Sequence, residues 1–364
     1  MMTLHEDSIQ LLRQMVRIPS LSGQEAEVVA FIRQALDAFG IPCEEQRGNI
    51  LAVNRRFDPA KPTLALDAHL DTVPANNGYT RDPFDPGKDP DIIYGLGSND
   101  DGGSVVSMIA AFRHFFEADM PINLMLTLTR QEEVSGPDGA RWLYAPDGLF
   151  AAGGRYRMPR WVIVGEPTGM RAASSERGLL VLDGHAQGVS GHAARGEGVN
   201  ALYIALDDIA ALCAHRFTRI SPIMGEVRLN VTQIEAGQAH NVIPDRCHFV
   251  VDIRPTELYS NEEIVTELQS ICSSTLTARN LLNRSSATRP DSPLLRAART
   301  LGVETFSSPT TSDWMRIGVD AVKMGPGDSS RSHKADEYIL AQEIREGIDR
   351  YIAFIETFYG NTLE

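Results

Sequence analysis

Apolar residues recur along this chain with two spacings: one near every third or fourth position, the other in short continuous runs. Helical spacing appears near residues 5–17 and again from Gln24 to Phe39, where Val28, Val29, Phe31, Ile32, Leu36 and Phe39 form a stripe ended by Gly40 and Pro42. Runs at 49–55 (NILAVNR), 63–67 (TLALD), 122–129 (INLMLTLT), 161–165 (WVIVG) and 319–324 (VDAVKM) predict strands. Ser104 to Phe116 reads as a helix between two of them. Strands and helices that alternate in this way predict an α/β fold around a mostly parallel sheet with helices on both faces.

From about Gly178 the pattern changes. A strand-like stretch at 179–189 is followed by a helix from Val199 to His215, strands near 226–237 and 246–254, and a helix over Asn261 to Ser273. Segments rich in small and turn residues, 174–178 (SSERG) and 285–292 (SSATRPDS), flank this block and read as linkers. The expected organisation is a catalytic domain over 1–177 and 289–364, interrupted by an inserted α+β domain over 178–288 and closed by a helix near 340–358. At 364 residues the chain exceeds the roughly 250–300 at which a single core stops growing, so two domains are expected on size as well.

Composition narrows the partners. Hydrophobic residues make up 43% and charged residues 23%, ordinary for a globular chain with a sizeable core. A formal net charge of -14 repels phosphate backbones and anionic bilayers at long range, so neither nucleic acid nor membrane is an expected partner. Cys43, Cys213, Cys247 and Cys272 lie far apart without a CxxC pair, which fits free thiols better than a disulfide framework or zinc knuckle. The first ten residues (MMTLHEDSIQ) are acidic and no apolar run approaches the ~20 residues of a membrane span, so a cytoplasmic location is expected.

The candidate chemistry lies just past the predicted strands. His69 follows 63–67, Glu132 and Glu133 follow 122–129, Glu166 follows 161–165, and His333 comes after 319–324. Asp100, with Asp101 as its rival on composition, sits in the glycine-rich turn 95–103 (GLGSNDDGG), where the backbone can bend closely around an ion. Open α/β sheets bind ligands beyond the carboxyl ends of their strands, so these residues are expected to meet in one crevice. His69, Asp100, Glu133, Glu166 and His333 are the expected metal ligands, Asp71 the group that orients His69, and Glu132 the carboxylate that handles protons. Two metal ions roughly 3.5–4 Å apart suit amide hydrolysis, because together they polarise a carbonyl and activate water. Taken singly, each of these residue types is far more often structural, and His5, His114, His185, His215, His240 and His248 receive that reading.

On these motifs, DAHLDT at 67–72, the glycine turn, QEEV at 131–134, GEPT at 165–168 and GPGDSSRSHKADEY at 325–338, the chain resembles the M20 family of metallopeptidases and deacylases over essentially its whole length. The resemblance implies a zinc-aminopeptidase-like catalytic domain with a ferredoxin-like dimerisation or lid insertion, and a homodimer through 178–288. It also implies two divalent ions, zinc first and cobalt or manganese as alternatives. His69 and Glu166 would hold one ion, Glu133 and His333 the other, and Asp100 would bridge them, followed by a cis peptide. SGHAARGEGVNA at 190–201 matches a segment that supplies a histidine to the partner's site, so His192 is implied as a catalytic residue; Asn241, Arg254 and Gly327 are implied at the substrate. The implied activity is removal of an acetyl or succinyl group from an amino acid, nearest to an N-acylornithine deacylase of arginine biosynthesis. Alternatives are a succinyl-diaminopimelate desuccinylase or an aminopeptidase, dipeptidase or carboxypeptidase; a non-catalytic binding protein would predict a damaged ligand set. The chain departs from the family in two places: Asp101 and Gly102 stand where Met and Lys are common after the bridging Asp, and Gln131 stands where an acidic residue often precedes the glutamate pair.

Overall fold

The computed structural model describes residues 3–151 and 153–362. The chain forms two compact units, one of residues 1–174, 287–306 and 312–364, the other of 175–286 with 307–311. The first unit is built on a mixed sheet ordered Cys43–Gln46, Asn49–Val53, Asn123–Thr129, Thr63–His69, Trp161–Val164, Asp320–Lys323, Ala172–Glu176. Its four central strands, from Asn123–Thr129 to Asp320–Lys323, run parallel, and the outer pairings are antiparallel. Every residue of Thr63–His69 and Asn123–Thr129 is buried, as expected for strands covered on both faces.

The two faces are covered unequally. Leu64, Leu66, Leu124, Leu126 and Ile163 point into a large core shared with helices Leu4–Met15, Ala26–Ala38, Gly103–Phe115, Pro293–Thr300 and Ala341–Thr362. Ala65, Met125, Val162, Val164 and Ala321 point the other way, against Tyr144, Phe150, Tyr156, Trp314 and the short helix Ala140–Leu143. The strict alternation of strand residues between these cores follows from the period of two along a strand. The edge strand Cys43–Gln46 (CEEQ) escapes the hydrophobic pattern because it is half exposed and polar.

In the second unit, Arg228–Ala236, Arg246–Arg254, Leu180–Gln187 and Thr275–Ala278 form an antiparallel sheet in that order. Helices Ala201–Ala214 and Asn261–Gln269 share one core with it. Asn200 caps the first of these helices by accepting from the Leu202 amide, and Ser260 with Glu263 forms a reciprocal cap on the second. The outer end of the Phe249 ring lies against Gly184, where a Cβ would come within 2.2 Å of it. No helix among the described residues is long and apolar enough to cross a membrane.

Because Phe249 is fully buried and no side chain stands opposite it at Gly184, Phe249→Ala leaves a void that neighbours fill poorly. The expected cost is about 3–5 kcal/mol, read from urea unfolding; a loss below about 1 kcal/mol would show that this core collapses around the gap.

Candidate metal centre

Each candidate ligand is delivered by a different segment. His69 is the last residue of its strand, Glu166 lies two residues past Val164, and Glu132 and Glu133 lie just past Thr129. Asp100 comes from the glycine turn and is joined to Asp101 by a cis peptide. His333 arrives on the loop before Tyr338–Leu340, a strand that pairs antiparallel with Ile92–Tyr94 and so ties that loop to the turn.

The side chains converge on Asp100. His69 Nε2 lies 3.3 Å from Asp100 Oδ1, and His333 Nε2 lies 3.9 Å from Asp100 Oδ2, so the two imidazoles address different oxygens of one carboxylate. His333 Nε2 is also 3.0 Å from both oxygens of Glu133. Donor atoms of His69, Asp100 and Glu133 lie within 4.8 Å of one another, and so do those of His69, Glu132 and Glu166. Glu132, expected only to move protons, thus also has an oxygen at the His69–Glu166 end.

Asp71 does more than face His69. Its carboxylate stands 3.6 Å from His69 Nδ1, while its own carbonyl oxygen, at 3.0 Å, is the closer partner of that ring nitrogen. The carboxylate accepts the Glu132 amide at 2.9 Å, the Glu133 amide at 3.2 Å and the Ser22 hydroxyl at 2.6 Å. It therefore latches the turn that presents the acidic pair. Gln131 supports the same turn in an αL conformation: its amide donates to Glu25 and its side-chain carbonyl accepts from the Asp138 amide.

Sequence reasoning missed Glu337. This buried carboxylate accepts the Asn99 and Asp100 amides at 2.9 and 3.0 Å, and its carbonyl accepts the Gly95 amide. It holds the turn that carries Asp100, and its one signal in sequence is an acid soon after His333 in HKADEY. Asp313 was also missed; it is buried and accepts the Thr129 hydroxyl at 2.7 Å. Gly327, expected to approach substrate, presses against Asn99, whose Oδ1 would lie 2.4 Å from a Cβ there, and its carbonyl accepts the Gly169 amide.

The electrostatics are those of crowded buried anions. Burial, reinforced by Glu166, Asp313 and Glu133 and opposed by His69, holds Glu132 well above the usual carboxyl range. Burial does the same to Glu166, with Asp100 adding to it, and pushes Asp101 and Glu337 up to about 8. Although burial disfavours a charged imidazole, Asp100 and Asp71 raise His69 well above its ordinary value, and the hydrogen bond to Glu133 raises His333. Burial is the foremost cause of each upward carboxyl shift, whereas His69 holds Asp100 and Asp71 below the ordinary carboxyl range in spite of burial. A nitrogen and oxygen donor set of this kind fits divalent cations of the zinc type.

Three further candidates lie in the second unit. His192 is exposed, and its Nδ1 accepts the Ala194 amide. Asn241 is exposed, with its carbonyl accepting the Ala193 amide. Arg254 grips Asp252 through Nε at 2.9 Å and a terminal nitrogen at 3.1 Å, the two-point geometry by which a guanidinium holds any carboxylate.

The chain is similar to proteins already known. A model of Peptidase family M20/M25/M40 matches residues 65–357. A succinyl-diaminopimelate desuccinylase of Xylella fastidiosa (strain M23) is 28% identical, covering 96% of this chain and 98% of the relative. An acetylornithine deacetylase of Myxococcus xanthus is 27% identical over 87% of this chain and 88% of its own. Among solved structures, an aminopeptidase from Bacillus cereus superposes with a TM-score of 0.76 at 20% identity, covering 97% of this chain and 98% of its own. A protein from Bacillus subtilis described as a dinuclear metal-binding peptidase reaches 0.72 at 17% identity, covering 97% and 98%.

The Asp71 latch has a direct readout. Hydrogen bonds to a charged group contribute about 1.5–3 kcal/mol each, so Asp71→Ala should speed amide exchange at Glu132 and Glu133 by about tenfold or more. Unchanged exchange at both amides would mean that the turn holds its shape without Asp71.

Proposed function

This chain belongs to Peptidase family M20/M25/M40 and is a metal-dependent amide hydrolase, and from that premise we propose that it removes an acetyl or succinyl group from an amino acid. The observation that carries the reading is the pair of imidazoles, His69 and His333, directed at the two oxygens of Asp100. In this reading Asp100 would be shared between two divalent ions, zinc in the first instance, with His69 and Glu166 as the residues that would hold one and Glu133 and His333 those that would hold the other. The chemistry such ions supply when bound is polarisation of the amide carbonyl and activation of water.

The chain's own part is proton handling and positioning. Glu132 takes a proton from the attacking water as the new C–O bond forms, then delivers it to the amide nitrogen as the C–N bond breaks. A free carboxylic acid and a free amine leave. Burial among other carboxylates suits Glu132 to this role, because it raises the proton affinity of the carboxyl that must accept and return the proton. Asp71 keeps Glu132 and Glu133 in place through their amides. Substrate contact is assigned to His192, Asn241 and Arg254. The fork by which Arg254 holds Asp252 is the same one that a substrate carboxylate would use.

The specific substrate we assign is an N-acylornithine of the arginine biosynthetic route. The desuccinylases among the relatives favour a second reading, succinyl-diaminopimelate. Residues 178–288 are assigned to homodimer assembly, with His192 serving the partner's site.

Zinc-loaded protein assayed against acetylornithine, succinylornithine, succinyl-diaminopimelate and a set of dipeptides should hydrolyse an N-acyl amino acid and lose activity on chelation; cleavage of peptides alone would overturn the deacylase reading. Glu132→Gln should lower turnover by about 10²–10⁴-fold while metal content stays at the wild-type level. Wild-type turnover in that variant would remove Glu132 from proton transfer. His192→Ala should also slow turnover, and an unchanged rate would leave residues 178–288 a role in assembly only.

A further inference from the structure

Glu25 is 1% exposed, yet its side chain does not cap the helix it introduces. It stands just before Ala26–Ala38, where a side-chain oxygen ordinarily accepts one of the first free amides of a helix, and it accepts none of them. Its two oxygens go elsewhere. Oε1 accepts the Gly23 amide at 2.7 Å and the Gln131 amide at 3.2 Å, and Oε2 accepts from a terminal nitrogen of Arg130 at 2.7 Å. A carboxylate this deeply buried has to be held by such bonds. Two of the three come from the residues that lead into Glu132.

The loop that carries Glu25 is itself docked on the site. The Thr72 amide donates to the Ser20 carbonyl at 2.9 Å and the Ser22 amide to the Thr72 carbonyl at 3.2 Å, so residues 20–22 pair with the chain that follows His69 and Asp71. The Ser22 hydroxyl donates to the Asp71 carboxylate, which holds the Glu132 and Glu133 amides. Three successive amides, from Gln131 to Glu133, thus end on two carboxylates that one loop braces. Arg130 is anchored in turn: it lies across Gly48, where a Cβ would come within 3.0 Å of its side chain, and it donates to the Arg47 carbonyl at 3.3 Å. The turn needs this hold. Gln131 has a φ of 59° and Ser135 one of 49°, left-handed values that residues with a Cβ keep only where their surroundings impose them.

We infer that Glu25 is a positioning residue for the acidic pair: it holds Gln131 in the left-handed conformation from which the chain enters Glu132 and Glu133, and so sets where the Glu132 carboxylate is presented. Asp71 acts one residue later, on the amides past that bend. Arg130 fixes Glu25 in its turn, because a guanidinium anchored across Gly48 takes Oε2 and leaves Oε1 to the two amides. The effect on the shape of the turn stands on these contacts alone. The effect on rate rests on the reading of Glu132 as the proton carrier. Once Gln131 is released it can relax to an ordinary backbone conformation, and a shift of about 1 Å at a reacting group is enough to cost about 10²-fold in rate.

Amide exchange and turnover of the zinc-loaded protein test this in Glu25→Ala and in Glu25→Gln, which keeps the shape of the side chain and one oxygen but sets an NH2 group against Arg130. In E25A, exchange at Gln131 and Glu132 should rise about tenfold or more while the amides of the strand Thr63–His69 keep their wild-type rates. Turnover should fall about 10²-fold with KM little changed, and E25Q should lie between wild type and E25A in both measurements. Should E25A fail to fold, E25Q decides by the same amides. Because Glu25 acts through Glu132, E25A should cost little further turnover on a Glu132→Gln background. The full loss repeated on that background, wild-type exchange at Gln131 and Glu132 in both variants, or faster exchange spread evenly into the strand would each overturn the inference. Wild-type turnover in E132Q itself would sink the proton-transfer reading instead, and local exchange at Gln131 would then alone uphold or overturn the hold of Glu25 on the turn.

Discussion

Like charges crowded out of water are the constraint around which the first unit is arranged. Asp100, Asp101, Glu132, Glu133, Glu166 and Asp313 all reach the region of His69, most of them buried or partly so. At short range in a low-dielectric interior their mutual repulsion is far larger than in water, and burial alone raises the proton affinity of a carboxyl. Such a cluster persists only if rigid elements hold it and if cations share the space. The parallel strands meet the first need, since their ends are fixed by ladders on both sides and cannot spread apart without breaking register.

Backbone amides meet part of the second. Glu337 and Asp71 each spend a carboxylate on two consecutive main-chain N–H groups, those of Asn99 and Asp100 in one case and Glu132 and Glu133 in the other. The two devices are alike. Each steadies a turn by its backbone, leaving the side chains of that turn directed at the cleft. A side-chain latch would have used up the oxygens that here face His69 and His333. The cost is two more buried acids, and burial raises Glu337 to about 8 in consequence.

The candidate site residues were legible because their signals are local. A histidine or acid just past an apolar run can be read from the order of residues, and His69, Glu132, Glu133 and Glu166 all have this form. The same holds for the central strands, whose continuous hydrophobicity reports burial on both faces. Glu337 and Asp313 were not legible, because each takes its meaning from a partner on another segment: the amides of the glycine turn and the Thr129 hydroxyl. Cys43–Gln46 was missed for a different reason, since a short polar edge strand has no apolar period to detect. The uneven covering of the sheet was hidden too, because Tyr144, Phe150 and Trp314 reach the second face from very short helices and the loops beside them.

The departure at Asp101 and Gly102 has a steric basis. The turn closes so tightly that the Gly102 amide donates to the Gly97 carbonyl at 3.0 Å, and a Cβ on Gly102 would lie 2.4 Å from that oxygen and 2.6 Å from Leu12. A lysine there would require a different turn and a different packing of the first helix. Asp101 is accommodated by a second glycine: a Cβ on Gly165 would come within 2.9 Å of its Oδ2 and 2.7 Å of Ser104. The two adjacent acids are thereby divided, Asp100 toward the imidazoles and Asp101 into a niche behind the residue that precedes Glu166. Burial pushes the Asp101 carboxyl up to about 8 in that niche, so near neutral pH it sits there largely as the uncharged acid. An uncharged Asp101 adds little to the repulsion around Asp100, which explains how two acids can stand side by side in this turn.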